Sequence, residues 1–160
     1  ERKPQAMNTP AYLTFPEGSP VRTPALIDVR YAETDQMGIA HHSVYAVWFE
    51  QARTELIARL GWHYRDLEQA GLLLPLAELS ARYYKPAFYE DRLLIYTHVS
   101  KLTAAQLEFS YEVVRDGELI AAGTTRHGCT GKDLRPINIK KKFPDVYAAM
   151  QALSLRDECR

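Results

Sequence analysis

The sequence predicts an α+β fold, an antiparallel five-stranded sheet wrapped around one long central helix. Three observations carry that expectation. Five stretches alternate apolar and polar residues with the two-residue period of half-buried strands. Residues 43–60 instead carry helical spacing, and their first turns are apolar nearly all round. Such a helix is buried on most sides rather than laid on a surface. Asp116-Gly117 sits between two alternating stretches and marks a tight hairpin. The order strand, helix, four strands, helix suits a sheet with one face closed on a helix.

Each element has its own signal. Residues 25–33 form the expected first strand, with Ile27, Val29 and Tyr31 alternating against Asp28, Arg30 and Ala32. In the helix, Val44, Trp48, Ala52, Leu56 and Leu60 make one i, i+4 ridge, and Tyr45, Phe49, Arg53 and Ile57 make the next. Ser43 is the expected N-cap and Gly61 the residue after the helix. Residues 63–70 are a short second helix closed by Gly71. Ala77, Leu79, Ala81 and Tyr83 then alternate with Glu78, Ser80 and Arg82 until Pro86 ends the strand. Leu93, Ile95, Thr97 and Val99 mark the next strand. Leu107, Phe109, Tyr111 and Val113 give the cleanest signal, and residues 119–130 the last strand. Residues 143–153 read as a terminal helix opened by Pro144.

Length and composition narrow the class. A chain of 160 residues suits one domain with a sizeable core. We divide it into a mobile, proline-rich arm at 1–24, a single domain at 25–154 and a tail at 155–160. Met7 is a candidate native start. The formal net charge is zero, which argues against nucleic acid and against an anionic membrane surface as partners. No apolar run reaches the roughly 20 residues that span a bilayer. Cys129 and Cys159 are the only cysteines, which excludes a disulfide framework or a multi-cysteine zinc site. A reducing, cytoplasmic compartment is the simplest reading.

Chemistry concentrates between Val29 and Tyr45. A Gly38-containing turn carries Asp35, and His42 follows where the helix should begin. A carboxylate facing a helix N-terminus can act as base or nucleophile while backbone N–H groups stabilise developing negative charge. The plainer reading of Asp35 is a turn or capping residue. Glu33 reads as structural. His41 and His42 are adjacent, which suits a shared metal ion poorly, and no metal is expected. His42 instead suits a hydrogen-bonding group at the helix start. Glu50 and Arg53 stand i, i+3 apart and suggest an ion pair; Glu50 reaching a partner's site is the alternative. Tyr45 is a packed aromatic or a hydroxyl donor. Lys132, Arg135, Lys140, Lys141 and Lys142 are either a solvated face or a phosphate-binding cluster. Trp48 and Trp62 belong to the core or an interface, and Cys129 is a small buried hydrophobe.

The pattern Tyr31-x-x-Thr34-Asp35-x-x-Gly38-x-x-x-His42-x-x-Tyr45, continued by Phe49-Glu50-x-x-Arg53, Tyr84-x-Pro86-Ala87 and Asp91-x-Leu93, resembles the hotdog-fold acyl-CoA thioesterases of the 4-hydroxybenzoyl-CoA thioesterase type. The short-chain acyl-CoA branch found in bacteria is included in that resemblance, which covers about residues 25–150. It implies hydrolysis of an acyl-CoA thioester at a site between paired subunits, in a homodimer or homotetramer. Asp35 would be nucleophile or general base, and the His42 N–H would polarise the thioester carbonyl. Gly38, Tyr45 and Glu50 would line the substrate site. No cofactor is implied beyond the coenzyme A of the substrate. Some relatives of this type carry several basic residues after the third strand to contact the nucleotide. Here Lys101 stands alone in that loop, so Lys132, Arg135 and the cluster Lys140, Lys141 and Lys142 become the candidate helpers.

Other functions compatible with the same residues are an acyl-carrier-protein thioesterase, a hotdog hydratase or dehydratase acting on a hydroxyacyl thioester, and a non-catalytic acyl-thioester binding module. The second needs an acid and a base placed across the α and β carbons. The last needs no carboxylate at the carbonyl.

Overall fold

The computed structural model describes residues 24–154 of the chain. The remainder of the expected arm, Met7, the expected tail and Cys159 lie outside the described residues. Element order is β1 (Ala25–Asp28), a 3₁₀ turn (Tyr31–Glu33), α1 (Val44–Arg59), α2 (Tyr64–Gln69), β2 (Leu76–Tyr83), β3 (Arg92–Leu102), β4 (Gln106–Arg115), β5 (Glu118–Gly128), α3 (Ile139–Lys142) and α4 (Pro144–Ser154). The strands form one five-stranded sheet in the order β1-β3-β4-β5-β2. All four pairings are antiparallel. The expected class and element order hold.

The period-2 pattern of β4 places Leu107, Phe109, Tyr111 and Val113 in the core, with Glu108, Ser110 and Glu112 on the opposite face. The β4–β5 hairpin turns at Asp116 and Gly117, whose φ values are 51° and 77°. Two consecutive positive φ angles are what a two-residue hairpin of matching twist demands, and Asp-Gly meets that demand at little cost.

Helix α1 crosses the inner face of the sheet and buries Tyr45, Trp48, Phe49, Ala52, Leu56 and Ile57. The Phe49 ring stacks on Tyr111, with centroids 4.4 Å apart and planes 9° from parallel. Its edge lies over Gly123. A Cβ there would stand 2.6 Å from Phe49 Cε2 and 2.5 Å from the Ser80 carbonyl oxygen. The helix can seat this deeply only because that sheet position has no side chain.

The structure corrects several expectations. The first strand stops at Asp28, and residues 31–33 turn into a 3₁₀ coil. Tyr31, expected on the inner face, is 77% exposed. The alternation ends early because Glu33 folds back to bond with Arg30, which tightens the chain. The last strand ends at Gly128, beyond which Thr130 makes only isolated bridges to Leu73 and Pro136. The short helix α3 was not foreseen; Asn138 caps it by accepting from the Lys141 N–H. Ser43 occupies the N-cap position of α1 without capping it. Its hydroxyl is engaged by His41 instead.

The largest difference concerns β2 and the adjoining side of α1. Strand β2 pairs only with β5 among the described residues, so it is an edge. Every residue of it is exposed except half-buried Ala81. Leu79 and Tyr83 remain 40% and 47% exposed, and Val47 on α1, expected inside, is 57% exposed. The sheet covers the face of the helix that carries Trp48, Phe49 and Ala52, and no described element of this chain covers the Val47 side.

Gly123→Ala should therefore lower the urea midpoint markedly. Overpacking typically costs about 1–3 kcal/mol, and the clash with a fixed carbonyl oxygen favours the upper end. Unfolding at the wild-type midpoint would show that helix and sheet separate more easily than this packing implies.

Candidate active site

The Asp35 turn is a closed loop. Thr34 and Ala40 bridge its ends. The His41 N–H donates to the Glu33 carbonyl at 2.8 Å, and the Asp35 N–H to the Ile39 carbonyl at 2.9 Å. Gly38 takes the positive φ of 80° at the tip. The Asp35 Oδ1 accepts from the Met37 N–H at 2.8 Å, an Asx-turn. The structural role anticipated for Asp35 is thus real, and it occupies one carboxylate oxygen. The bond fixes the orientation of the carboxylate.

Glu33 anchors this loop to the helix. Its buried carboxylate accepts from the Arg30 N–H at 2.8 Å, the Arg30 guanidinium at 3.1 Å and the Trp48 indole N–H at 3.1 Å. Burial alone would raise its pKa. The bonds from the Arg30 backbone, Trp48 and the Arg30 side chain outweigh burial and hold it below the ordinary value. The loop and the second turn of α1 are therefore locked together through one charged group.

Just before the helix, hydrogen bonds occupy the backbone donors on either side of His42. Ala40 N–H bonds the Ala87 carbonyl at 2.8 Å, His41 N–H the Glu33 carbonyl at 2.8 Å and Val44 N–H the His41 carbonyl at 3.1 Å. Ser43 N–H bonds His41 Nδ1 at 3.2 Å. Nδ1 is thus an acceptor, so the Ser43 hydroxyl donates to it at 2.7 Å. Between Ala40 and Val44 the His42 N–H is the one donor without a partner among the described residues. The His42 carbonyl accepts from the Tyr83 hydroxyl at 3.0 Å. The His42 ring rests against His41, centroids 4.0 Å apart, and makes no hydrogen bond to Asp35.

Other anticipated residues fall elsewhere. Tyr45 is buried between the Trp48 and Tyr83 rings, at 4.6 Å and 4.8 Å. Burial pushes its pKa up to about 12, which suits packing rather than proton transfer. Glu50 is exposed and does not pair with Arg53. Lys101 lies at the end of β3, 4.0 Å from Glu108. Arg135 pairs with Asp133 at 3.8 Å, and Lys132 is exposed on the same loop. These three sit with Lys140, Lys141 and Lys142 at the sheet end opposite the Asp35 turn. A strand of this length separates the two ends by roughly 30 Å, so one chain does not bring them together. No group of three or more His, Cys, Asp or Glu among the described residues could hold a metal ion.

A buried polar chain runs beneath α1 and had no clear sequence signal beyond the inward parity of His127 on β5. Arg53 donates to the Tyr64 hydroxyl at 3.0 Å and to the Tyr111 hydroxyl at 3.0 Å. Tyr111 and Thr125 hydroxyls are 2.6 Å apart, and Thr125 is 2.9 Å from His127 Nε2. His127 Nδ1 is 2.9 Å from the Leu74 carbonyl. A carbonyl can only accept and a guanidinium can only donate. Nδ1 must therefore carry the proton, and the donors run from Arg53 through Tyr111 and Thr125 to an unprotonated Nε2. Burial lowers the His127 pKa to about 4, against the bond to Leu74 and with help from nearby Arg53.

A long helix packed against a five-stranded antiparallel sheet, with a turn leading into its start, is the arrangement of the hotdog-fold thioesterases. The chain belongs to the thioesterase-like superfamily, whose model matches residues 29–152. It is similar to a putative acyl-CoA thioesterase, YneP, of Bacillus subtilis, 39% identical over 78% of this chain and 92% of that protein. It is also similar to the acyl-CoA thioesterase YbgC of Haemophilus influenzae, 29% identical over 76% of this chain and 90% of that protein. Among solved structures, a DHNA-CoA thioesterase from Staphylococcus aureus superposes with a TM-score of 0.80 at 35% identity, covering 86% of this chain and 95% of that one. The expected family and enzyme class agree with these relatives. No described helix is long and apolar enough to cross a membrane.

The His127 shift has a consequence for stability. The folded chain takes up its proton near pH 4, whereas an unfolded histidine does so near 6.5. Between those values the unfolded state binds more protons, so stability falls as pH drops through that window. His127→Gln should flatten this part of the curve in urea titrations run from pH 7 to 4. An unchanged slope would assign the acid sensitivity to other groups.

Proposed function

We propose that the protein hydrolyses an acyl-CoA thioester to free acid and coenzyme A, with Asp35 and the His42 N–H as its chemical groups. The observation that carries this reading is the unpartnered His42 N–H, set beside the Asp35 turn between the occupied donors of His41 and Ser43. The His41 carbonyl of the same peptide accepts from Val44, which polarises the unit and strengthens its free N–H as a donor. Aimed at a thioester carbonyl, it would stabilise the oxyanion as the carbon becomes tetrahedral. Asp35 either attacks that carbon, expelling the coenzyme A thiolate and leaving an anhydride for water to cleave, or removes a proton from attacking water. Both routes need the ionised carboxylate. The acyl-CoA class is supported by the names of the relatives, and the DHNA-CoA enzyme brings aromatic acyl groups within the range to be assayed.

The working unit in this reading is a homodimer or a pair of dimers, in the cytoplasm. The open edge of β2 and the bare Val47 side of α1 support it, since an unpaired edge invites a second strand. Antiparallel pairing of two β2 strands about a dyad would set the basic end of one chain beside the Asp35 turn of the other. Lys101, Lys132 and Arg135 would then contact the nucleotide across the interface, and Glu50 would face the partner.

Asp35→Asn should fold normally, because the amide oxygen still accepts from Met37. It should lose at least about 10²-fold in kcat, the lower range for general-base chemistry. Thiol release from short, long and aromatic acyl-CoAs checks this, and wild-type turnover would remove Asp35 from the chemistry.

Val47→Glu should convert the assembly to monomers by light scattering and abolish turnover together, since a charge on the bare helix face opposes burial. An active monomer would place the whole site within one chain.

A further inference from the structure

We infer that Tyr83 is a positioning residue for the reaction: from the edge strand β2, its hydroxyl holds the peptide that follows His42 and so sets the direction of the unpartnered His42 N–H. This rests on the reading of that N–H as the oxyanion donor. The two peptides flanking the His42 Cα determine where its N–H points. The first is held through the His41 carbonyl, which accepts from Val44 at 3.1 Å. The second is held at its N–H by His41 Nδ1 at 3.2 Å and at its carbonyl by the Tyr83 hydroxyl at 3.0 Å. His42 lies one residue before the N-cap. Among the described residues the Tyr83 hydroxyl is the donor to that carbonyl, and the bond fixes the plane of the peptide.

The tyrosine is itself held at a defined place. Its ring meets Tyr45 edge-on, at 4.8 Å and 79°. Tyr45 packs on Trp48 at 4.6 Å, and the Trp48 indole bonds Glu33, whose carbonyl accepts the His41 N–H. The circuit closes on the two peptides that flank the His41–His42 peptide, one on each side. Its only member outside the loop and α1 is Tyr83. A phenol suits the task because the ring gives the span from β2 while the hydroxyl supplies one directed donor.

Tyr83→Phe keeps the ring contact with Tyr45 and removes only the donor, so the fold should persist. Ser80→Ala, on the opposite face of the same strand, controls for loss of a hydroxyl on β2; Ser80 bonds Thr124 at 2.8 Å. For Tyr83→Phe we expect kcat on acyl-CoA to fall about 10-fold, less than the ~10²–10³ that follows deletion of an oxyanion donor outright. KM should stay within about two-fold, because the interaction matters in the transition state. The unfolding midpoint should match that of Ser80→Ala, and the amide signals of His42 and Ser43 in a ¹H–¹⁵N spectrum should move only in the Tyr83 variant. Unchanged kcat, a change confined to KM, an equal loss in Ser80→Ala, or unmoved His42 and Ser43 signals would each overturn the assignment. If wild type and Asp35→Asn turn over equally, the thioesterase chemistry assigned to Asp35 fails on its own. The spectrum then still decides whether Tyr83 holds His42.

Discussion

Phe49 lies against Gly123 with no room for a methyl group between helix and sheet, and the rest of the architecture follows from that contact. Because α1 is seated so deeply, its first turns meet the end of β2 on one side and the β1–α1 loop on the other. The stack of Phe49 on Tyr111 sets the rotation of the helix about its axis. That rotation brings the Trp48 indole to Glu33 and Tyr45 to Tyr83. Interiors packed at crystal-like density transmit such placements with little slack. The position of the Asp35 turn thus depends on a glycine on β5, far from it in sequence.

The two buried polar systems differ in how they handle charge. Glu33 is ionised and gathers three donors, which offset the desolvation of its carboxylate. The Arg53 chain has its charge at one end only. From there it continues through hydroxyls to a neutral His127, so no second ion is buried. The expected Glu50–Arg53 pair would have anchored the arginine at the helix surface. Tyr64 and Tyr111 draw it inward instead, and Glu50 is left outside on the bare face. One network joins the loop to the helix and the other joins the helix to β4 and β5, so the helix is tied on both flanks without a metal ligand set.

Period and turn chemistry made the architecture legible in the sequence. The alternation of β4, the Asp-Gly hairpin and the apolar turns of α1 each point to the same fold, and that agreement across levels marks a foldable sequence. The Asp35 turn was legible because a glycine with positive φ, a carboxylate and a helix start lie within a few residues. What was hidden depends on contacts between distant residues. Nothing local to Tyr31 says that Glu33 will curl back and end the strand, since the partner that makes the buried carboxylate tolerable, Trp48, is fifteen residues away. Tyr83 reads as one more apolar residue in an alternating strand; its bond to His42 spans forty-one positions. The exposed faces of β2 and Val47 were misread for a related reason. Apolar pattern reports that a surface is to be buried, not which chain buries it.

The two ends of β2 meet different parts of the proposed site. Its last residue, Tyr83, reaches the start of α1 within the chain. Its first, Leu76, lies at the end that carries Lys101, Lys132 and Arg135. A strand that is exposed on both faces and unpaired on one side is ordinarily a liability. Here the same strand carries a hydroxyl that bonds the helix entrance, so a strand paired with its free edge would also stiffen that bond. In the proposed dimer, pairing of that edge and alignment of the His42 N–H would be one physical event. Ordering β2 would reduce the conformational freedom of Tyr83, and through its bond to the His42 carbonyl that of the helix entrance. Under the proposed function, assembly and activity would need no separate coupling device, because the strand that a second copy would cover bonds the peptide after His42.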